Sequence, residues 1–146
     1  MIRIANLEDL TAIDSIGTLI KDNFSKQNHT RERINLDYVK IFVYEDQSII
    51  KGFIEIECHY ETTDLINIAV LKKYQNQGIA SSLLNYVIEN INQQNIILEV
   101  NENNIKAIKF YQRNNFKEIN RRNKYYDNLY DAIIMERKTI WKMYIY

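Results

Sequence analysis

The stretch KYQNQGIASSLL, residues 73–84, contains one of only three glycines in a chain that has no proline. Gly78 lies between three amide side chains and an apolar run with the spacing of a helix. The unpaired N–H groups at a helix N-terminus attract anions, and small residues such as Ala80 and Ser81 let a phosphate approach the backbone. A glycine at this position is equally compatible with a simple turn into the helix. The residues alone therefore indicate a candidate anion site and leave the turn as its alternative.

Two residues further along have side chains that accept or donate protons. Glu99 is flanked by Leu98 and Val100 on a predicted strand, so its carboxylate faces alone into one side of the sheet. Tyr111 lies on the helix predicted to begin after Asn104, which is at the position of an N-cap. A carboxylate and a phenol are suitable as the base and the acid of a group transfer. Alternatively, Glu99 is a solvated carboxylate on a strand, and Tyr111 is a core tyrosine without a chemical role. The chain has eleven tyrosines, so the second alternative is an ordinary one.

The elements that must position these residues follow from the hydrophobic pattern. The predicted order is strand, helix, weak helix, three strands, helix, strand, helix and two strands. The apolar strand 64–71, the helix from Ile79 and the strand 95–100 form one crossover unit. These two strands are therefore predicted to be parallel neighbours in an otherwise largely antiparallel sheet. Asn6 is predicted to cap the first helix, and the length predicts a single domain over residues 1–146.

The composition restricts the function classes. The chain is 46% hydrophobic and 26% charged, with equal numbers of acidic and basic residues, so a folded domain without a nucleic-acid partner is expected. Cys58 is the sole cysteine, and the two histidines, His29 and His59, do not form a predicted metal cluster. No apolar run reaches membrane-spanning length and no secretory pattern opens the sequence, so no membrane contact and a cytoplasmic location are expected.

Two longer stretches carry a family resemblance. NIAVLKKYQNQGIASSLL resembles the acetyl-CoA-binding motif of the GNAT acetyltransferases, Gln/Arg-x-x-Gly-x-Gly/Ala, through Gln75, Gly78 and Ala80. LEVNENNIKAIKFYQRNNFKEINRRNKYY and the later DAIIM resemble the bacterial ribosomal-protein-alanine N-acetyltransferase (RimI) group, so the resemblance covers roughly residues 66–135. Where the family often has a glycine at the end of the last helix, this chain has Asn115, which tolerates the left-handed conformation.

The resemblance implies a fold and a set of site residues. The fold is α/β (α+β): a mixed central sheet of about seven strands flanked by helices, with a parallel strand pair splayed around the cofactor. Acetyl-CoA is the implied co-substrate, and no metal is implied. Glu99 is the implied general base, with Asp64 as a competitor, and Tyr111 is the implied proton donor to the leaving thiolate. The residues implied to bind acetyl-CoA are Ile68, Ala69, Val70, Gln75, Asn76, Gln77, Gly78, Ile79, Ala80, Ser81 and Asn104.

The acceptor implied by the resemblance is the α-amino group of a protein N-terminus, such as that of a ribosomal protein. An α-amine has a pKa near 8 and a lysine amine one of about 10.4, so a modest base supplies the neutral α-amine more easily. We expect the peptide entrance to be bordered by Tyr125, Tyr126 and Asp131. The protein is expected to be a monomer or a weak homodimer. The alternatives are acetylation of a lysine or of a small-molecule amine (polyamine or antibiotic), and a non-catalytic acetyl-CoA-binding module.

Overall fold

A computed structural model describes residues 1–91 and 94–139. In that part of the chain, the strands are β1 (Ile2–Ile4), β2 (Val39–Asp46), β3 (Ile49–Cys58), β4 (Thr62–Val70), β5 (Asn95–Asn101), β6 (Lys117–Tyr126) and β7 (Tyr130–Arg137). The α-helices are α1 (Leu10–Gly17), α2 (Phe24–Asn28), α3 (Thr30–Arg33), α4 (Ile79–Asn90) and α5 (Ile105–Arg113). Two short 3-10 turns, Leu7–Asp9 and Lys72–Tyr74, precede α1 and follow β4.

The strands form a seven-stranded sheet in the order β1-β2-β3-β4-β5-β7-β6. The β1–β2, β2–β3, β5–β7 and β6–β7 pairs are antiparallel. The β4–β5 pair is parallel and aligns Thr62 with Asn95 and Asp64 with Ile97. This pair is the one that the crossover from β4 through α4 to β5 predicts, because parallel strands require such a connection. The expected mixed sheet is confirmed.

The chain forms two compact units, and β4 contributes residues to both. The first unit is Met1–His59 with Leu65–Ile91, and its core includes Ile13, Phe24, Val43 and Phe53. Each of these side chains is almost completely buried, which stabilises the unit by about 1.5–3 kcal/mol for each large side chain. The prediction of a single domain over residues 1–146 stays a prediction.

The second unit contains Tyr60–Asp64 and residues 94–139. The register of β5 with β7 places Leu98 opposite Met135 and Val100 opposite Ile133, and all four side chains are buried. Glu99 alternates with Leu98 and Val100, so its side chain projects from the opposite face of the sheet. The burial pattern of β5 therefore follows from the strand alternation seen in the sequence.

The 3-10 turn Leu7–Asp9, which leads into α1, shows how local sequence determines where a helical segment begins. Asn6 accepts a hydrogen bond from the N–H of Glu8 at 2.9 Å, and the N–H of Asn6 donates to Asp9 Oδ2 at 2.8 Å. Arg3 donates two hydrogen bonds to Asp9, at 2.8 and 2.9 Å, and these hold the pKa of that carboxyl below its usual range. The predicted cap at Asn6 is confirmed.

Some boundaries differ from those predicted. The stretch FSKQN forms the five-residue helix α2, which is too short for a helical periodicity to reveal it. The predicted helix from Thr30 is only four residues long.

None of the helices in the described part of the chain is long and apolar enough to cross a membrane. Of the apolar end TIWKMYIY, only Thr139 lies within the described residues, and its N–H donates to Asn95 Oδ1 at 2.8 Å.

Candidate active site

The glycine loop of the first unit connects β4 to α4. After Val70 the chain makes the 3-10 turn, and Gln75 Nε2 then donates a hydrogen bond back to the carbonyl oxygen of Val70 at 3.0 Å. Asn76 and Gly78 both adopt the left-handed conformation, with φ of 63° and 82°. Gln75 therefore ties the loop to the end of β4, and the two left-handed residues turn the chain into α4.

The N-terminus of α4 is open. Gly78 is its N-cap residue, and within residues 1–91 and 94–139 no side chain caps the helix. The first helical bond runs from the N–H of Ser82 to the carbonyl oxygen of Gly78 at 2.9 Å, so the N–H groups of Ile79, Ala80 and Ser81 have no helical partner. A Cβ at Gly78 would meet no atom within 4 Å. Unpaired donors, a helix dipole and empty space are the features that an anionic pyrophosphate requires.

The three predicted residues at the end of β4 are packed in the first unit. Val70 is buried, Ile68 is half-buried, and Ala69 packs against the core that contains Phe24 and Phe53. A Cβ on Gly52 of the neighbouring strand would lie 2.9 Å from the carbonyl oxygen of Ala69, so only glycine lets β3 come this close. These side chains are structural, and any cofactor role of Ile68, Ala69 and Val70 falls to their backbone groups.

Glu99 is ion-paired in the second unit. Its Oε1 lies 3.0 Å from Arg122 Nη2, and a third of the Glu99 side chain, 33%, is exposed. The pairing follows from the register across β7: Glu99 lies opposite Ile134 and Arg122 opposite Ala132, on the same face of the sheet. The carboxylate is thus accessible at the surface and is already paired with Arg122.

Two tyrosines on β6 accompany this ion pair. The pKa of Tyr126 is raised by burial first and by the negative charge of Glu99 second, so its hydroxyl keeps its proton to a higher pH than an ordinary tyrosine. Tyr125 packs edge-to-face on Tyr126 at 5.2 Å, and the Arg122 guanidinium lies 5.5 Å from the Tyr125 ring centroid. Glu99, Arg122, Tyr125 and Tyr126 therefore form one cluster, which we call the β6 cluster.

Tyr111 is a core tyrosine. The residue is only 7% exposed, and burial raises its pKa to about 12. Its ring packs against Phe110 and Phe116, with centroids 5.4 and 5.5 Å away. The Tyr111 hydroxyl therefore stays protonated and can donate a hydrogen bond.

The end of α5 fixes the backbone of Tyr111. The N–H of Phe116 donates to the carbonyl oxygen of Tyr111 at 3.0 Å, and the N–H of Asn115 donates to that of Gln112 at 3.2 Å. Asn115 has a φ of 69°, so the helix ends in a Schellman motif with asparagine in the left-handed position. The expectation that Asn115 replaces a glycine there without disturbing the helix end is confirmed.

The remaining predicted residues have structural partners. Asn104 caps α5, because its Oδ1 accepts a hydrogen bond from the N–H of Ala107 at 3.2 Å. Asp64 lies on β4 opposite Ile97, two residues before the position of Glu99 on β5. Asp131 accepts a hydrogen bond from the N–H of Lys124 at 2.8 Å and so supports the β6–β7 hairpin. The sequence did not reveal that Arg122 pairs with Glu99. The one sign of it in the sequence was the adjacent pair Arg121 and Arg122 on the strand that pairs with β7.

Comparisons with known proteins identify the relatives that this chain resembles. The family profile described as acetyltransferase (GNAT) domain matches residues 37–118. The N-alpha-acetyltransferase of Saccharolobus solfataricus is 36% identical over 77 residues, which are 50% of this chain and 46% of that protein. The ribosomal protein bS18-alanine N-acetyltransferase of Escherichia coli is 39% identical over 77 residues, 49% of this chain and 52% of that protein. The chain spans about half the length of these curated relatives.

Solved structures extend the likeness to nearly the whole chain. The crystal structure of the ribosomal-protein-S18-alanine N-acetyltransferase from Escherichia coli superposes with a TM-score of 0.85 at 25% identity, covering 95% of this chain and 93% of that one. Arabidopsis thaliana NAA60 in complex with acetyl-CoA superposes with a TM-score of 0.78 at 18% identity, covering 93% and 96%, and shows the fold. The predicted fold, enzyme class and co-substrate agree with these relatives. By the profile match over more than half of its length, the chain belongs to the GNAT acetyltransferase family.

Proposed function

We propose that this protein transfers the acetyl group of acetyl-CoA to the α-amino group of a protein N-terminus. The observation that carries the proposal is the open N-terminus of α4 at Gly78, in a chain of the GNAT family. The named activities of the two curated relatives, N-alpha-acetylation and alanine N-acetylation of a ribosomal protein, support the choice of acceptor.

The residues of the glycine loop fit a pyrophosphate. The N–H groups of Ile79, Ala80 and Ser81 would hold it, and Gly78 leaves room for it because no side chain occupies the space above its Cα. Asn76 and Gln77 would contribute backbone groups of the same loop. Acetyl-CoA supplies a thioester, whose carbonyl carbon is the electrophile of the reaction.

Glu99 would act as the base, and Tyr111 would act as a hydrogen-bond donor. Glu99 takes a proton from the acceptor ammonium, and the neutral nitrogen forms a C–N bond with the acetyl carbon while the C–S bond breaks. The nitrogen then releases its second proton to solvent, which leaves the neutral amide. The leaving electron pair stays on sulfur, where the Tyr111 hydroxyl donates a hydrogen bond. The products are the N-acetylated acceptor and the free thiol of CoA.

The raised pKa of Tyr111 limits what its hydroxyl can do. Complete transfer of its proton, from a pKa of about 12, to a thiolate with an ordinary pKa of about 8.5 is uphill by roughly 5 kcal/mol. Hydrogen-bond donation to the developing thiolate requires no such transfer and is favoured in a buried site. We therefore assign Tyr111 the role of stabilising the leaving sulfur, with solvent providing the final proton.

The acceptor is tested by comparing classes of amine. CoA thiol release is measured with acetyl-CoA and four acceptors: peptides with a free N-terminus, N-blocked lysine peptides, polyamines and aminoglycosides. We expect the free N-terminus to be acetylated at least about tenfold more efficiently, since its lower pKa supplies more neutral amine. Preference for a small amine or for lysine would replace the proposed acceptor. Absence of thiol release with every amine would identify a non-catalytic acetyl-CoA-binding module.

A further inference from the structure

Strand β6 of the second unit is irregular near its end. The strand advances four residues between Arg122 and Tyr126. Over the same distance its partner β7 advances only two, between Ala132 and Tyr130. Two extra residues therefore lie in the stretch 123–125, which we call the β6 bulge. A bulge bends a strand and changes the direction in which its side chains point.

The β6 bulge brings side chains of the β6 cluster together. In a regular strand, residues an odd number of positions apart point to opposite faces, so Tyr125 would point away from both Arg122 and Tyr126. In the structure the Tyr125 ring centroid lies 5.2 Å from that of Tyr126 and 5.5 Å from the Arg122 guanidinium carbon. Arg122 in turn pairs with Glu99 at 3.0 Å. The arrangement of side chains around Glu99 therefore depends on the bulge.

The backbone of the bulge has an unusual conformation. Lys124 has a φ of 48°, in the left-handed region, which residues other than glycine, asparagine and aspartate adopt at a cost. Its N–H donates a hydrogen bond to Asp131 Oδ1 at 2.8 Å. Asp131 is the β7 residue between Tyr130 and Ala132, so it lies opposite the bulge. This hydrogen bond stabilises the left-handed conformation of Lys124 and with it the bulge.

Asp131 is itself held by the turn that follows β5. Its N–H donates to Glu102 Oε1 at 3.2 Å, and its carbonyl oxygen accepts from the N–H of Glu102 at 3.0 Å. Arg121 Nη1 lies 3.0 Å from Glu102 Oε2 and 3.5 Å from Asp131 Oδ2. Both carboxylate oxygens of Asp131 therefore have partners within the protein. A side chain held in this way can fix the backbone opposite it.

We infer that Asp131 is a positioning residue for the acceptor: by holding the β6 bulge, it places Tyr125 and Tyr126 beside the Glu99–Arg122 pair, where the two rings line the path of the acceptor amine. The inference rests on the proposed function, because it needs an amine that reaches Glu99. Tyr125 is 55% exposed, so its ring is open to an acceptor. Asp131 then acts through the bulge and does not itself touch the acceptor.

Removal of the Asp131 carboxylate tests the inference. In Asp131→Ala, the N–H of Lys124 loses its hydrogen-bond acceptor, so the left-handed conformation loses its support. We expect kcat/KM for an N-terminal peptide to fall about tenfold, as for one lost hydrogen bond, with most of the change in KM. The kcat at saturating peptide and the acetyl-CoA dissociation constant should change little.

Substitutions at Lys124 separate the bulge from the carboxylate. Glycine adopts the left-handed conformation readily, so Lys124→Gly in the Asp131→Ala background should restore the bulge and most of the lost kcat/KM. Lys124→Val should raise KM although Asp131 is intact, because a β-branched residue resists this conformation. Lys124→Val thus gives an answer even where Asp131→Ala does not fold.

Glu118→Gln is the matched control. Glu118 pairs with Arg121 at 3.2 Å, so its substitution removes a carboxylate partner of Arg121 as Asp131→Ala does. Glu118 lies outside the bulge, and KM for the peptide should therefore stay at its wild-type value. Thermal unfolding of every variant separates a loss of stability, which lowers the active fraction and hence kcat, from the expected rise in KM.

The outcomes separate this inference from the proposed function. An unchanged KM in folded Asp131→Ala overturns the inference, and so does a raised KM that Lys124→Gly fails to restore, because Asp131 would then contact the acceptor directly. If Asp131→Ala does not fold, an unchanged KM in Lys124→Val overturns it instead. Acetylation of lysine peptides or polyamines alone overturns the N-terminal acceptor, and the same variants then decide the inference with that amine. If the wild type acetylates no amine, both are overturned.

Discussion

The two longest helices begin in opposite ways. At α5, the Asn104 side chain accepts a hydrogen bond from the N–H of Ala107 at 3.2 Å, so the protein closes this helix end itself. At α4, Gly78 has no side chain, a φ of 82° and empty space above its Cα. One helix start is satisfied from within the chain, and the other presents its N–H groups outward.

The difference separates two tasks. Unpaired N–H groups at a helix start are tolerated where solvent or a ligand satisfies them, and the helix dipole then favours an anion. A side-chain cap on α4 would close that site. The cap on α5 blocks no such site, because Tyr111 lies near the opposite end of that helix. Changes at the start of α4 should therefore affect binding, and changes around α5 and β5 should affect turnover or stability.

The largest effect is expected from Glu99→Gln. Removing the proposed base should lower kcat by about 100-fold or more, because general base catalysis typically contributes at least this much. The acetyl-CoA dissociation constant, measured by calorimetry, should be nearly unchanged. Glu118→Gln is the control, since Glu118 is an exposed carboxylate paired with Arg121 and is not in the β6 cluster. An unchanged kcat in Glu99→Gln would remove the base assignment.

Tyr111→Phe should have the next largest effect. Loss of one hydrogen bond to the leaving sulfur is expected to lower kcat by about tenfold, with the ring packing kept. Phe110→Leu, a change at a neighbouring ring, is the comparison for packing alone. If both variants lose the same activity, the hydroxyl has no special role.

The same variant tests the pKa of Tyr111. Its folded-state pKa of about 12 lies above the usual 10.0, so the neutral form is favoured by folding. This contribution is complete below pH 10 and is lost as the pH rises from there through 12; the full shift corresponds to about 3 kcal/mol. Denaturant titrations across this range should show a shallower loss of stability in Tyr111→Phe. Parallel curves would contradict the burial of the phenol.

Gly78→Ala and Gly78→Asn test the open helix start. Alanine in the left-handed conformation costs about 1 kcal/mol of stability, whereas asparagine tolerates it better. Both side chains enter the space above Gly78, so both should weaken acetyl-CoA binding, although only alanine should markedly lower the melting temperature. Unweakened binding in both variants would show that Gly78 is needed only for the turn.

The smallest effect is expected from Asn104→Ala. Loss of the α5 cap should cost about 1 kcal/mol of stability. Asn104→Ser keeps an oxygen that can cap the helix and should recover most of that loss. If Asn104→Ser recovers stability but not acetyl-CoA affinity, then Asn104 has the cofactor role that its family position implies in addition to the cap.

Much of the fold follows from local patterns in the sequence. The strand, helix, strand order from β4 to β5 predicts the parallel pair because a crossover connection allows little else. The caps at Asn6 and Asn104 were predicted from residue type alone, since a short polar side chain before an apolar helix is a local signal. Helix α2 was missed because five residues, of which Phe24 is the single apolar one, are too few to show a helical period.

The site was less predictable where it depends on distant pairs. Glu99 was singled out from the flanking Leu98 and Val100, but its partner Arg122 is specified by the register of two further strands. In the sequence, Glu55 has the position of an outward-facing residue on an alternating strand. The tertiary structure shows that its carboxylate accepts hydrogen bonds from Asn28, Asn67 and Arg33. Such networks require several segments at once, so no single stretch indicates them.

The Schellman motif after Tyr111 limits how the length of this segment can change. Asn104 fixes the first turn of α5 and Phe116 fixes its last, so the number of residues between them also sets the direction of the Tyr111 side chain. One inserted or deleted residue would rotate everything beyond it by roughly 100° about the helix axis. The segment 104–116 therefore behaves as a unit of fixed length, in which substitutions are tolerated far better than insertions or deletions.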